Sequence, residues 1–134
     1  MLSRERADML LRKAAQDEFV VEKLLSDPGS PDEMIGFHAQ QAIEKTLKAV
    51  LASRSIPYRR THDLVELIDL LRERGVPFPD ELTDVRRLGP FAIVLRYDEL
   101  PTGPEEPFDR AWAGGCVRRV KVWAAGVMEG DQAT

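Results

Sequence analysis

Hydrophobic residues recur along most of the chain at steps of three and four, which is the period of an α-helix with one buried face. No stretch alternates apolar and polar residues for long enough to indicate a β-strand. The pattern divides into five segments, and we predict a helix in each of them: about residues 3–26, 32–53, 61–75, 79–96 and 108–128.

Proline and glycine mark the breaks between these segments, because both residues end or kink helices. The first helix is followed by residues 27–31, which read Asp-Pro-Gly-Ser-Pro. Thr61 is a good N-cap for the third helix, and Gly75 is a suitable residue to end it. Within the fourth helix, Gly89 and Pro90 predict a kink or a break.

The connections between the predicted helices are short, apart from residues 98–107 with their three prolines, and short connections make neighbouring helices antiparallel. The sequence therefore predicts an all-α fold, an up-and-down antiparallel helical bundle of about five helices. One domain is expected to span residues 1–134. The last residues, 129–134, are expected to fray.

Composition narrows the classes of function. The net charge of −4 argues against broad wrapping of duplex nucleic acid, which requires a concentrated basic face. Charges alternate at the N-terminus where a signal peptide would be apolar, and no apolar run is long enough to span a membrane. The single cysteine, Cys116, cannot close an intramolecular disulfide, and no spacing resembles a zinc site. We expect a cytoplasmic protein without a metal or cofactor.

The face of the second helix opposite its hydrophobic stripe is the first candidate site. This face and its flank carry six side chains: Phe37, His38, Gln41, Glu44, Lys45 and Lys48. Phe37 lies about 160° from the centre of the stripe, so it is not expected to reach the core. An exposed ring among amides and charges suggests contact with something other than water. Three interpretations stay open: a solvated face, a dimer or partner surface, and a small-ligand site.

The segment before the third helix is the second candidate site. Residues 58–63, Tyr-Arg-Arg-Thr-His-Asp, place Arg59, Arg60 and His62 at a helix N-terminus, where backbone N–H groups and the helix dipole favour an anion. Such a segment could hold a phosphate. The alternative is that Thr61 caps the helix, His62 packs, and the arginines are solvated.

Other chemically active side chains are scarce. His38 and His62 are the only histidines, and the sequence contains no Gly-rich phosphate loop and no nucleophile elbow. Cys116 falls in a helical core pattern and is interpreted as a small hydrophobic residue. Arg96 and Tyr97 are the residue types that clamp a base or a phosphate; Tyr97 is favoured as a core residue and the role of Arg96 stays open.

Three motifs occur in order along the chain. They are residues 37–49 in the second helix, residues 61–64 (Thr-His-Asp-Leu) at the start of the third, and residues 90–92 (Pro-Phe-Ala) followed by Arg96-Tyr97. Together they resemble the motifs of the HEPN domain, the nucleotide-binding family of higher eukaryotes and prokaryotes. The resemblance implies a homodimerising helical bundle that often accompanies a minimal nucleotidyltransferase encoded beside it, as in toxin–antitoxin pairs.

Some branches of that family are metal-independent ribonucleases, in which an arginine is followed after four to six residues by a histidine. Here seven residues separate Arg54 from His62, and Arg59 is too close to it, so this spacing is absent. The alternatives are therefore a ribonuclease toxin that uses His62 with Arg54, Arg59 or Arg60, and a non-catalytic structural adaptor.

The leading hypothesis is a homodimer that binds a nucleotide, an RNA or a nucleotide-bearing partner. No association with a membrane is expected. Nine residues are predicted for its ligand-binding or interface surface: Phe37, His38, Gln41, Glu44, Lys45, Lys48, Arg59, His62 and Arg96. Under this hypothesis none of them is catalytic. His62 and Arg59 become catalytic candidates only in the ribonuclease alternative.

Overall fold

The computed structural model describes residues 3–96 and 107–133. These residues form five helices: α1 (Ser3–Leu25), α2 (Asp32–Ser53), α3 (Leu64–Glu73), a 3₁₀ helix (Asp80–Arg96) and α4 (Arg110–Ala133). No strand forms within the described ranges. The predictions of an all-α fold and of a helical bundle are confirmed, and the predicted bounds of the first two helices are correct to within one residue.

Helix α2 is the centre of the bundle, because α1, α3, the 3₁₀ helix and α4 all pack against it. The whole predicted stripe is buried: Ile35, Ala39, Ala42, Ile43, Thr46, Leu47 and Val50. However, Gln40 and Glu44 are buried as well, on the side that the helical wheel assigns to a polar face. The prediction of an exposed face on α2 is therefore wrong. A wheel assumes one direction of burial, whereas this helix is surrounded.

The position of Phe37 also differs from the prediction. It is half-buried and packs against the main hydrophobic core, with its ring edge-to-face against the ring of His38 at 5.1 Å between centroids. The expectation that Phe37 cannot reach the core is wrong, since core residues approach α2 from several sides.

Helix α3 starts three residues later than predicted. Asp63 is its N-cap, and the Asp63 carboxylate accepts hydrogen bonds from the backbone N–H groups of Val65 and Glu66. Thr61, the predicted cap, instead accepts a hydrogen bond from the Asp63 N–H through its hydroxyl at 3.0 Å. The helix ends at Glu73, and Gly75 follows with a φ of 81°, a left-handed conformation that favours glycine.

The fourth predicted helix is 3₁₀ and continues across Pro90, so of the predicted kink or break, the break does not occur. The 3₁₀ helix lies close to α2 at one point, where the ring of Phe91 is buried directly over Gly36. A Cβ atom on Gly36 would lie 2.2 Å from Cδ1 of Phe91, so only glycine fits at this position. Gly36 thus lets the 3₁₀ helix pack against the central helix.

Helix α4 extends to Ala133, so that residues 129–133 of the tail predicted to fray are helical. Tyr97 and the predicted loop up to residue 106 lie outside the described residues. For Arg96, the backbone position at the end of the 3₁₀ helix is described, and its side chain is not. Among residues 3–96 and 107–133, no helix is long and apolar enough to cross a membrane.

Cys116 belongs to α4 and lies in the hydrophobic core of the bundle, as predicted, with no exposed surface. Burial raises the pKa of its thiol to about 11, because a thiolate is poorly solvated there, and the carboxylate of Asp84 adds to the effect. Reactive cysteines have a lowered pKa and some exposure. Cys116 therefore has the properties of a small hydrophobic residue.

Candidate functional site

Glu44 is the centre of a polar network between α2 and the segment that precedes α3. Its side chain is 4% exposed. One carboxylate oxygen, Oε1, accepts a hydrogen bond from Nε2 of Gln40 at 3.0 Å and lies 2.9 Å from Nδ1 of His62. The other, Oε2, accepts a hydrogen bond from Nζ of Lys48 at 3.0 Å. These donors compensate a negative charge that would otherwise be costly to bury.

His62 connects this buried network to the surface, because its side chain is 64% exposed. An ionised carboxylate only accepts hydrogen bonds, so the bond to Glu44 requires a hydrogen on Nδ1 of His62. The other ring nitrogen, Nε2, makes no hydrogen bond to any described residue. Glu44 thus orients the imidazole from its buried side, and Nε2 is accessible to a ligand.

The sequence placed Glu44 and His62 in two separate candidate sites, and the structure brings them together across 18 positions of the chain. Gln40 belongs to the same network, since its amide also donates to the backbone carbonyl of His62 at 3.2 Å and accepts from Gln41 at 2.6 Å. Sequence reasoning did not select Gln40 as a site residue. Its position four residues before Glu44, on the same face of α2, was the signal that could have identified it.

The two arginines before α3 have different surroundings. Arg59 donates a hydrogen bond to Glu66, which raises the pKa of Arg59 and lowers the pKa of Glu66. Arg60 is exposed and forms no ion pair with another described residue. Of this pair, Arg60 is the cation whose charge is not compensated.

The N-terminus of α3 is not an open anion site. The Asp63 carboxylate already accepts from two of its backbone N–H groups, and its negative charge opposes a second anion at the same position. Of the groups predicted to hold an anion at this helix start, only Arg60 and His62 therefore remain available. Tyr58 lies close by, with the guanidinium of Arg6 5.7 Å from its ring centroid and Nζ of Lys48 at 5.8 Å.

His38 and Lys45 lie on another flank of α2 and face α1. Both bind the buried carboxylate of Asp17, and Nδ1 of His38 is 2.9 Å from Oδ1. The predicted surface thus divides into a His62 side and an Asp17 side. Sequence reasoning missed Asp17, although its position, three residues after Ala14 and four before Val21, places it on the buried stripe of α1.

A third polar cluster joins the 3₁₀ helix to α4. Asp84 accepts hydrogen bonds from Nε1 of Trp112 at 2.8 Å and from Arg119 at 3.1 Å. Burial favours the neutral form of Asp84, but the bonds from Arg119 and Trp112 outweigh it, so the pKa of Asp84 is lowered. All its partners are within the chain, which makes this cluster structural. In the described part of the chain, no group of His, Cys, Asp and Glu side chains is arranged to hold a metal ion.

Comparison with known proteins agrees with the motifs. The sequence model of the HEPN domain matches residues 7–121, which include most of α1, all of α2, α3 and the 3₁₀ helix, and half of α4. No curated protein and no solved structure matches the chain. The match covers most of the chain and the motif-bearing residues 37–49 of the central helix. The protein therefore belongs to the HEPN domain family, a family of nucleotide-binding or ribonuclease-like domains.

Proposed function

We propose that the protein is a homodimeric nucleotide-binding subunit, which accepts a nucleotide or a nucleotide-bearing partner at the surface formed by His62, Arg60 and Tyr58. The observation that carries this proposal is the exposed His62 ring held at Nδ1 by the buried Glu44. A ring fixed in this way loses little freedom when Nε2 meets a ligand.

The chemistry of the surface suits a phosphate attached to a base. The guanidinium of Arg60 is exposed and uncompensated, and it can pair with two phosphate oxygens. Arg6, beside the Tyr58 ring, adds a second positive charge. These cations give the surface a local charge opposite to the net charge of the chain, which is −4.

The proposal of a dimer rests on the family and on apolar side chains that the single chain leaves in water. Phe19, Ile93 and Val122 are at least half exposed. Side chains of this size commonly form the core of a subunit interface. A minimal nucleotidyltransferase, paired with this chain as in toxin–antitoxin systems, is the proposed partner protein.

Calorimetric titration with ATP tests the proposal. His62→Ala and Arg60→Ala are each expected to weaken binding by about tenfold, since each removes one charge-assisted contact to phosphate. Arg118→Ala is the matched control, because Arg118 lies on α4 in an exposed pair with Glu22 and should leave the affinity unchanged. Equal affinities for the wild type and for both site variants, all of them folded, would contradict the proposal.

A metal-independent ribonuclease is the second candidate, and the carboxylate that orients His62 favours it, since such a pair is the arrangement of a general base. Against it, Arg59 is held by Glu66 and the arginine spacing of the ribonuclease branch is absent. We expect no cleavage of single-stranded RNA in EDTA. Cleavage that is lost in His62→Ala and kept in Cys116→Ser would establish the ribonuclease instead.

A further inference from the structure

A cavity of about 230 Å³ lies where α1, α2 and α4 meet. Small side chains on all three helices create it, since Ala14, Ala42 and Ala124 leave a gap that larger residues would fill. Leu11, Val117 and Met128 add larger apolar side chains to the wall. The opening is between α1 and α4.

Water has few partners in this cavity. Thr46, a polar residue of its wall, already donates its hydroxyl hydrogen to the carbonyl of Ala42 at 2.7 Å. At the opening, Glu18 and Lys121 bind each other at 2.9 Å. A water molecule at this wall would lack the two to four polar partners of a well-ordered water, so an apolar ligand would displace it at little cost.

We propose that this cavity binds a small uncharged hydrophobic molecule, of the size of an aromatic ring or a short alkyl chain. Three helices line it, and its volume of about 230 Å³ suits a single ring or a short alkyl chain and is too small for a helix of a partner protein. The ion pair between Glu18 and Lys121 lies at the opening between α1 and α4, and an ion pair near the surface contributes little stability, so it hinders entry only weakly.

The cavity is independent of the proposed nucleotide surface. Ala42 and Thr46 each lie two positions from Glu44 along α2, which places them on the opposite side of that helix. The failure of nucleotide binding would therefore leave this proposal standing, and the reverse also holds.

Toluene is the probe for the test. It is expected to raise the thermal midpoint of unfolding and to shift the methyl resonance of Met128, because a ligand of the folded state stabilises it by mass action. Ala124→Leu fills the cavity from its buried wall, and Ala15→Leu narrows it at the exposed opening. Both should weaken toluene binding by at least about tenfold. Ala111→Leu, an exposed position on the same helix as Ala124, should bind toluene as the wild type does.

Several results would overturn the proposal. Undiminished binding in the folded Ala15→Leu variant is one, and this variant also keeps the test valid if Ala124→Leu does not fold. Another is a Met128 resonance that changes on dilution without toluene, together with a mass by light scattering that falls from twice 15.1 kDa to that value. In that case a side chain of a second copy would be the occupant.

Discussion

Glu44→Gln is expected to lower the free energy of unfolding by about 3 kcal/mol, the lower part of the range for breaking a buried ion pair. The substitution keeps the size of the side chain and removes its charge. Lys48, whose side chain is 13% exposed, then has no counter-charge, and Nδ1 of His62 loses a charged acceptor. The lower part of the range applies because the exposed side of His62 lets water reach the edge of the network.

Urea unfolding followed by circular dichroism measures this effect. Glu22→Gln is the matched control, because Glu22 is an exposed glutamate paired with Arg118, and its loss should leave the midpoint nearly unchanged. Glu44→Leu combined with Lys48→Met should recover much of the stability, since apolar residues of similar volume often replace a buried ion pair without cost. If Glu44→Gln moved the midpoint no more than Glu22→Gln, Glu44 would not be the centre of the network.

Gly36→Ala is expected to destabilise the fold by about 2–3 kcal/mol through overpacking. The added Cβ would lie 2.2 Å from Cδ1 and 2.5 Å from Cε1 of Phe91, and this ring is buried, so it can move away only by disturbing the contact between α2 and the 3₁₀ helix. The direction is opposite to helix propensity, which favours alanine over glycine by about 1 kcal/mol.

Gly126→Ala makes the same chemical change in α4, where an added Cβ meets nothing within 4 Å. It should stabilise the protein by about 0.5–1 kcal/mol. Opposite shifts of the two urea midpoints would identify packing against Phe91 as the cause, and a partial recovery in Gly36→Ala with Phe91→Leu would localise it. A higher midpoint in both single variants would show that the ring does not lie over Gly36.

Much of the fold could be predicted because its signals are local. The bounds of α1 and α2 follow from a period of three to four residues and from the residues Asp27-Pro28-Gly29-Ser30-Pro31 between them. The ordered motifs along the chain also identified the family that the comparison confirms. The N-cap of α3 was harder to predict, because Thr61 and Asp63 are both suitable residue types. Only the backbone geometry shows that Asp63 is the cap.

The arrangement of the candidate site depended on the assembled bundle. Periodicity assigns each residue of α2 to a face, but it does not show how many neighbours surround the helix, so Glu44 and Phe37 were predicted to lie outside the core. The pairs Glu44–His62 and Asp17–His38 join residues 18 and 21 positions apart, which come together only when the helices pack. Helix propensity and capping act over a few residues, so the sequence by itself indicates where the helices lie. Burial and charge pairing join residues that are distant along the chain, so only the tertiary packing decided which side chains are buried and paired.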